Sequence, residues 1–155
     1  MKINKLDRIP GIEENERLVK AFNQLDKVLT ELREKQVPDE VISSINNAVD
    51  ETNNFKGSEK ELKKQIRKAQ SGIIKLIEKK LKMVPKNHYR NLWLVLGMSA
   101  FGLPIGVALG ASQGNNGMLG AGLPIGMVIG IAVGTGLDRK AFKEGRQLDL
   151  EIKRY

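Results

Sequence analysis

The chain has 155 residues, a formal net charge of +8 and no cysteine, so disulfide frameworks and thiol chemistry are excluded. The basic excess is concentrated in residues 56–90, directly before residues 91–137, which carry no charge at all. A basic run beside an uncharged apolar stretch is typical of a segment that contacts anionic lipid headgroups. Nucleic acid is the less favoured partner, because base stacking needs aromatic side chains and Phe55 is the only one between residues 23 and 88. The single histidine, His88, has no second ligand at metal-binding spacing, and no metal or other cofactor is expected.

A short amphipathic segment begins the chain. Its apolar residues are Ile3, Leu6, Ile9 and Ile12. The start of the chain is basic but has no apolar core of 7–15 residues behind it, so it does not resemble a secretory signal. Two placements are compatible with the segment: it lies on a membrane surface, or it docks against the helices that follow.

Three amphipathic helices are expected next, because apolar residues recur every three or four positions. The periodic stretches are residues 18–32, 41–49 and 62–84. Ser58 and Glu61 fit a capping box at the start of the third helix, and Pro85 is expected to end it. Residues 1–85 therefore form a helical module, either an antiparallel bundle or helices that complete their cores against neighbouring subunits. No residue set in it supports a reaction, and an enzyme is not expected.

Residues 86–140 are predicted to form a transmembrane hairpin. Two uncharged stretches, residues 92–111 and 118–137, are each long enough to cross a hydrocarbon core of about 30 Å. Residues 112–117 form a polar turn without charge, and basic residues flank only the other end. The positive-inside rule then places both termini in the cytoplasm, with residues 141–155 as a cytoplasmic tail, and the membrane is taken as the inner or plasma membrane. The expected interface anchors are Trp93, Tyr89, Arg90, Lys86, Arg139 and Lys140.

The pattern Gly-Leu-Pro-Ile-Gly-x-x-x-Gly occurs twice, at residues 102–110 and at residues 122–130. In lipid, helices associate through close van der Waals contact, and small residues permit it. This region, about residues 97–137, resembles glycine-zipper membrane proteins, and the resemblance implies a packing mode and no catalytic residue. Either the glycines close the hairpin on itself or they pack it against neighbouring subunits, with homo-oligomerisation the favoured interpretation. The predicted packing residues are Gly102, Gly106, Gly110, Gly122, Gly126, Gly130 and Gly134.

Pro104 and Pro124 fall at nearly the same membrane depth in an antiparallel hairpin. Each frees a backbone carbonyl and can kink its helix, so the pair is either a candidate gate or a local adjustment of packing. The hairpin also resembles the proteolipid ring subunit of rotary ATPases. Because the second span has no Asp or Glu, proton translocation by that mechanism is not expected. Any pore would be narrow and apolar.

The sequence therefore predicts an all-α protein, with a cytoplasmic module of about three helices followed by a two-helix transmembrane hairpin. The expected function is a homo-oligomer held by glycine-zipper helices that forms a pore gated by the module. The alternative is a membrane-anchored scaffold whose module recruits a cytoplasmic protein.

Overall fold

The computed structural model describes residues 1–113 and 119–152, and the chain divides into two compact units. Of the described residues, 1–85 and 148–152 form the helical module, and 86–113 and 119–147 form the hairpin unit. Most of the described residues are helical, and the sheet found among them has only two strands. The all-α class expected from the sequence is confirmed.

The helical module contains α1 (Glu16–Arg33), α2 (Asp39–Asn53) and α3 (Glu59–Leu81). Each helix buries one face, and the buried residues follow the three- and four-residue spacing of the sequence. Asn15 caps α1, because its side chain accepts a hydrogen bond from the backbone N–H of Leu18 at 3.1 Å. The fully buried side chains of the shared core include Leu25, Leu29, Ile45, Ile66 and Ile73.

The third helix starts as predicted and ends earlier than predicted. The N–H of Ser58 donates to the Glu61 carboxylate at 2.9 Å, and the hydroxyl of Ser58 accepts from the N–H of Glu61 at 3.4 Å. The helix ends at Leu81 because Lys82 adopts a left-handed conformation with φ 57°. Val84 is buried instead in strand β1 (Val84–Lys86), so Pro85 lies in a strand and does not end the helix.

Residues 148–152 belong to the helical module. Strand β2 (Gln147–Glu151) pairs with β1, and the side chains of Leu148 and Leu150 are buried in the core of the module. Their two-residue spacing places both on one face of a strand. Residues 147–151, which the sequence analysis placed in the tail of residues 141–155, therefore form a packed strand.

The hairpin unit consists of two helical arms. The first arm runs through α4 (His88–Gly97), a π-helical segment (Met98–Gly102) and α5 (Leu103–Gln113). The second arm is α6 (Leu119–Lys143). Residues 112 and 113 still belong to α5, and the rest of the predicted turn, residues 114–117, lies outside the described residues.

Candidate functional site: the glycine interface of the hairpin

The predicted glycine face lies between the two arms, and we name this contact the glycine interface. A Cβ built on Gly122 would lie 2.7 Å from the Cα of Gly106, and one built on Gly126 would lie 2.7 Å from the Cα of Gly102. Ordinary van der Waals contact for a Cβ begins at 3.4 Å. Because the opposing atoms are backbone, no rotation of a side chain relieves the clash. Only glycine fits where two helix backbones approach this closely.

The glycine interface continues towards the charged end of the hairpin. A Cβ built on Gly130 would lie 2.8 Å from the carbonyl carbon of Trp93, and one on Gly134 would lie 2.5 Å from the Cα of Arg90. The close approach of the backbones therefore extends along the arms to the first turn of α4.

Gly97 also lies in the interface, although it stands outside the doubled motif and was not predicted. A Cβ built on it would lie 2.8 Å from the Cα of Gly130. Gly97 and Gly102 are five residues apart, one more than the repeat of four in the motif. The π-helical segment between them accommodates the extra residue, so both glycines share one face.

The two faces of α6 differ sharply in their surroundings. The seven predicted packing glycines, on both arms, are all buried. Gly120 and Gly136, on the outer face of α6, are exposed, and a Cβ built on either would have nothing within 4 Å. The sequence left open whether the glycines close the hairpin on itself or pack it against neighbouring subunits. In the structure they pack one arm against the other within a single chain.

The two prolines lie outside the glycine interface. Pro104 and Pro124 are both exposed. A proline ring clashes with the carbonyl four residues back, and the π-helical segment widens the turn directly before Pro104, where the N–H of Leu103 bonds to the carbonyl of Met98. Helix α6 continues through Pro124. If the two prolines act together as a gate, the gate therefore forms on the outer surface of the hairpin and not between its arms.

Asp138 joins the two arms at their charged end, a contact that the sequence did not predict. Its side chain is buried, and its two oxygens accept the N–H groups of Tyr89 at 3.0 Å and Arg90 at 2.9 Å. These amides belong to the first turn of α4, whose N-cap residue, Asn87, provides no side-chain cap. A carboxylate satisfies such free amides and interacts favourably with the helix dipole. Asp138 on α6 therefore acts as the missing cap of α4.

The predicted interface anchors lie at the same end as Asp138. The four basic anchors are exposed and the two aromatic anchors are half-buried: Lys86, Arg90, Arg139 and Lys140, then Tyr89 and Trp93. The guanidinium of Arg146 is nearby, and its hydrogen bond to the Glu144 carboxylate raises the pKa of Arg146 above its usual range. This end of the hairpin therefore presents charged groups, in contrast to the arms.

Away from this end, the described surface of the arms is mainly apolar and exposed. In the most apolar windows of His88–Ser112 and Gly120–Lys143, only 17% and 22% of the residues are buried. The core helix of a soluble protein is mostly buried, whereas Val95, Val107 and Val128 are all more than half exposed here. Two helices of the hairpin are therefore long and apolar enough to cross a membrane.

A second candidate site lies on the helical module, where residues 1–10, the N-terminal segment, run along α2. The side-chain amide of Asn46 donates to the carbonyl of Lys2 at 3.0 Å and accepts from the N–H of Asn4 at 2.8 Å. Asn53, two turns further along α2, makes the same pair of bonds three residues further along the segment, each at 3.0 Å. Each amide thus pairs with the segment through one donor and one acceptor, as a neighbouring β-strand does. We name these two residues the amide clamp.

The apolar side of the N-terminal segment faces the core of the module. Ile3 is buried in the core, and Leu6 and Ile9 pack against it. The segment therefore docks onto the helices, which decides between the two placements that the sequence left open.

No protein-family model, curated protein or solved structure matches the chain. Within residues 1–113 and 119–152, no group of three or more His, Asp or Glu side chains is placed to hold a metal ion. The function is therefore inferred from the glycine interface and the amide clamp.

Proposed function

We propose that the protein is a membrane-anchored scaffold, in which a two-span hairpin holds the helical module at the inner face of the plasma membrane. The observation that carries the proposal is the glycine interface. Because Gly122 and Gly126 meet backbone atoms of the first arm, the space between the arms is filled by the helices themselves. A single hairpin of this kind leaves no passage between its arms and is suited to anchoring.

The charges support the proposed orientation. The exposed basic residues flank the arms at the end where Asp138 caps α4, and the predicted turn at the other end, residues 112–117, has no charge. In the proposed arrangement these basic groups contact anionic headgroups on the cytoplasmic side. The helical module then extends into the cytoplasm, where it is available to a protein partner.

A hairpin exchange tests the scaffold. Residues 88–143 are replaced by an unrelated two-span hairpin, while residues 1–87 and 144–155 are kept, because the module needs β2 as well as its three helices. Proteins crosslinked to the native chain in cells and identified by mass spectrometry should also be recovered with the exchanged chain. They should be absent when the native hairpin is expressed without the module. Recovery that follows the hairpin would contradict the scaffold.

A homo-oligomer that forms a pore is the second candidate, and the outward faces of the arms favour it. On the first arm, exposed small residues and one proline recur at four-residue spacing: Ala100, Pro104, Ala108 and Ser112. On α6, the exposed residues Gly120, Pro124, Ala132 and Gly136 lie at multiples of four, with the larger Val128 between them. Such faces permit close helix packing between chains, and they carry both prolines. In this candidate the pore lies between hairpins and the module controls its opening.

Mass and flux measurements test the second candidate. Native mass spectrometry in detergent should give a multiple of the chain mass of 17.2 kDa, and liposomes containing the protein should release trapped ions. Ala132→Leu on the outward face should abolish both signals and leave the hairpin folded, whereas Gly126→Leu should unfold the hairpin itself. A monomeric mass, or oligomers that release no ions, would exclude the pore.

A further inference from the structure

The amide clamp recognises the backbone of an extended peptide rather than its side chains. On α2, Asn46 and Asn53 together bond two carbonyls and two N–H groups of the N-terminal segment. From α1, the guanidinium of Arg33 donates to the carbonyls of Ile3 at 3.2 Å and Asn4 at 2.7 Å. The groove between α1 and α2 therefore satisfies an extended chain in the way that a sheet edge does.

Side-chain recognition in this groove is limited to a few positions. Ile3 is the residue of the segment that is buried in the core, and Leu6 and Ile9 are packed against it at three-residue spacing. The amide of Asn4 also donates to the carboxylate of Asp50 on α2 at 2.9 Å. A ligand of this groove is therefore an extended segment with an aliphatic residue at every third position. It also carries a polar residue directly after the first aliphatic residue, as Asn4 follows Ile3.

The segment is joined to α1 by a connector with little structure of its own. Pro10 is followed by Gly11 in a left-handed conformation with φ 73°, and one 3₁₀ turn, Ile12–Glu14, leads into α1. If residues 10–15 straightened, they would span up to about 20 Å. The hydrogen bonds of the amide clamp are exposed to solvent, so release of the segment breaks surface bonds and uncovers the buried Ile3 together with the packed sides of Leu6 and Ile9.

We propose that this groove also accepts the N-terminal segment of a second copy, so that chains pair by exchanging residues 1–10. The ligand fits because the segment of every copy carries the same residues that occupy the groove within one chain. Exchange of an identical element keeps all the contacts and changes only the path of the connector, which makes it an inexpensive route to dimers. The inference rests on the proposed anchoring in one respect: copies held in one membrane meet at a high local concentration.

Cysteine crosslinking between chains tests the exchange, since the native chain has no cysteine. Full-length Asn4→Cys and Asp50→Cys chains with different tags are coexpressed, and their native membranes are treated with a mild oxidant. We expect a disulfide-linked heterodimer that carries both tags. In the matched control pair, Asp50→Cys is replaced by Asn47→Cys, an exposed position on the same helix, and the heterodimer should fall at least tenfold.

A second substitution tests whether the amide clamp holds the exchanged segment. Asn46→Asp in the Asp50→Cys chain keeps the acceptor and removes the donor to the carbonyl of Lys2, so the heterodimer should fall several-fold. Asn47→Asp, the same chemical change at an exposed neighbour, should leave the yield unchanged. An equal yield in both variants would overturn the proposal, because the crosslink would then reflect random collision.

The double variant Asn4→Cys/Asp50→Cys in one chain shows which pairing dominates. If this chain closes an internal disulfide and the two single variants give no heterodimer, the segment stays in its own groove and the exchange is overturned. If it gives interchain disulfides in place of the internal one, exchange dominates; if it gives neither, the two positions are not in contact, the groove geometry itself is wrong and the proposal also fails. Alkaline carbonate extraction of the same membranes tests the anchoring separately, so failure of the exchange and failure of the proposed function are distinguishable.

Discussion

A single methyl group added to α6 should destabilise the hairpin on one face and leave it unharmed on the other. In Gly126→Ala the new Cβ meets the backbone of Gly102, whereas in Gly136→Ala nothing lies within 4 Å. Both positions are inside α6, so both variants gain the same helix propensity over glycine, up to about 1 kcal/mol. The difference in free energy of unfolding between the two variants therefore isolates the steric cost.

The size of the steric cost follows from the distances. The Cβ built on Gly126 lies 2.5 Å from the nitrogen and 2.7 Å from the Cα of Gly102, against the 3.4 Å at which ordinary contact begins. The arms must separate by roughly 1 Å, and a gap of that size forfeits up to about half of each dispersion contact around it. We expect Gly126→Ala to be less stable than Gly136→Ala by about 1–3 kcal/mol, the usual range for overpacking.

The fluorescence of Trp93 provides the assay. It is the only tryptophan in the chain, and its backbone lies in the glycine interface against Gly130. Purified protein in mild detergent is titrated with SDS, and the midpoint of the Trp93 signal gives the stability of the hairpin. The midpoint of Gly126→Ala should move to lower SDS, and that of Gly136→Ala should stay or rise. Equal midpoints for the two variants would refute the glycine interface.

Three further substitutions test the remaining contacts. Asp138→Ala leaves two amides in the first turn of α4 without a partner, so the same SDS titration should show a loss of about 1–2 kcal/mol; an unchanged midpoint would contradict the cap. Leu148→Ala should cost the helical module about 2–5 kcal/mol in urea unfolding followed by circular dichroism, because this side chain is fully buried; no loss would mean that β2 is not part of the core. Ser58→Ala should raise the pKa of Glu61 part of the way to its ordinary value of 4.5, because the hydroxyl bond to the carboxylate is lost and the backbone bond remains. Since folding lowers this pKa, the capping box stabilises the native chain above about pH 4.5 and less as the pH falls; an NMR titration of Glu61 that is unchanged in the variant would be the contrary result.

Features encoded over short distances in the sequence were predicted well. The module helices follow from apolar residues at three- and four-residue spacing, and the start of α3 follows from Ser58 and Glu61. The two long apolar helices of the hairpin are likewise visible in composition alone. The end of α3 was placed too late because Val84 continues the helical spacing, although Lys82 has already left the helix.

Features that depend on distant partners were missed. In the sequence, Asp138 is an isolated acidic residue beside basic residues. Its role as a cap is visible only in the fold, where it accepts the N–H of Tyr89, a residue 49 positions earlier in the chain. Gly97 was missed because the π-helical segment shifts its spacing to Gly102. The glycine pattern itself encodes close approach and not the identity of the neighbouring helix. For this reason the sequence left closure within one chain and packing between chains as alternatives.

The two-span anchor with the module on the cytoplasmic side is tested most directly by labelling single cysteines in sealed right-side-out vesicles. The chain has no cysteine of its own, so Asn115→Cys in the predicted outer turn and Asn47→Cys in the module are each labelled alone with a membrane-impermeant maleimide. The proposed anchor predicts that Asn115→Cys is labelled in intact vesicles and that Asn47→Cys is labelled only after lysis. Labelling of both in intact vesicles, or protection of both until lysis, would contradict it.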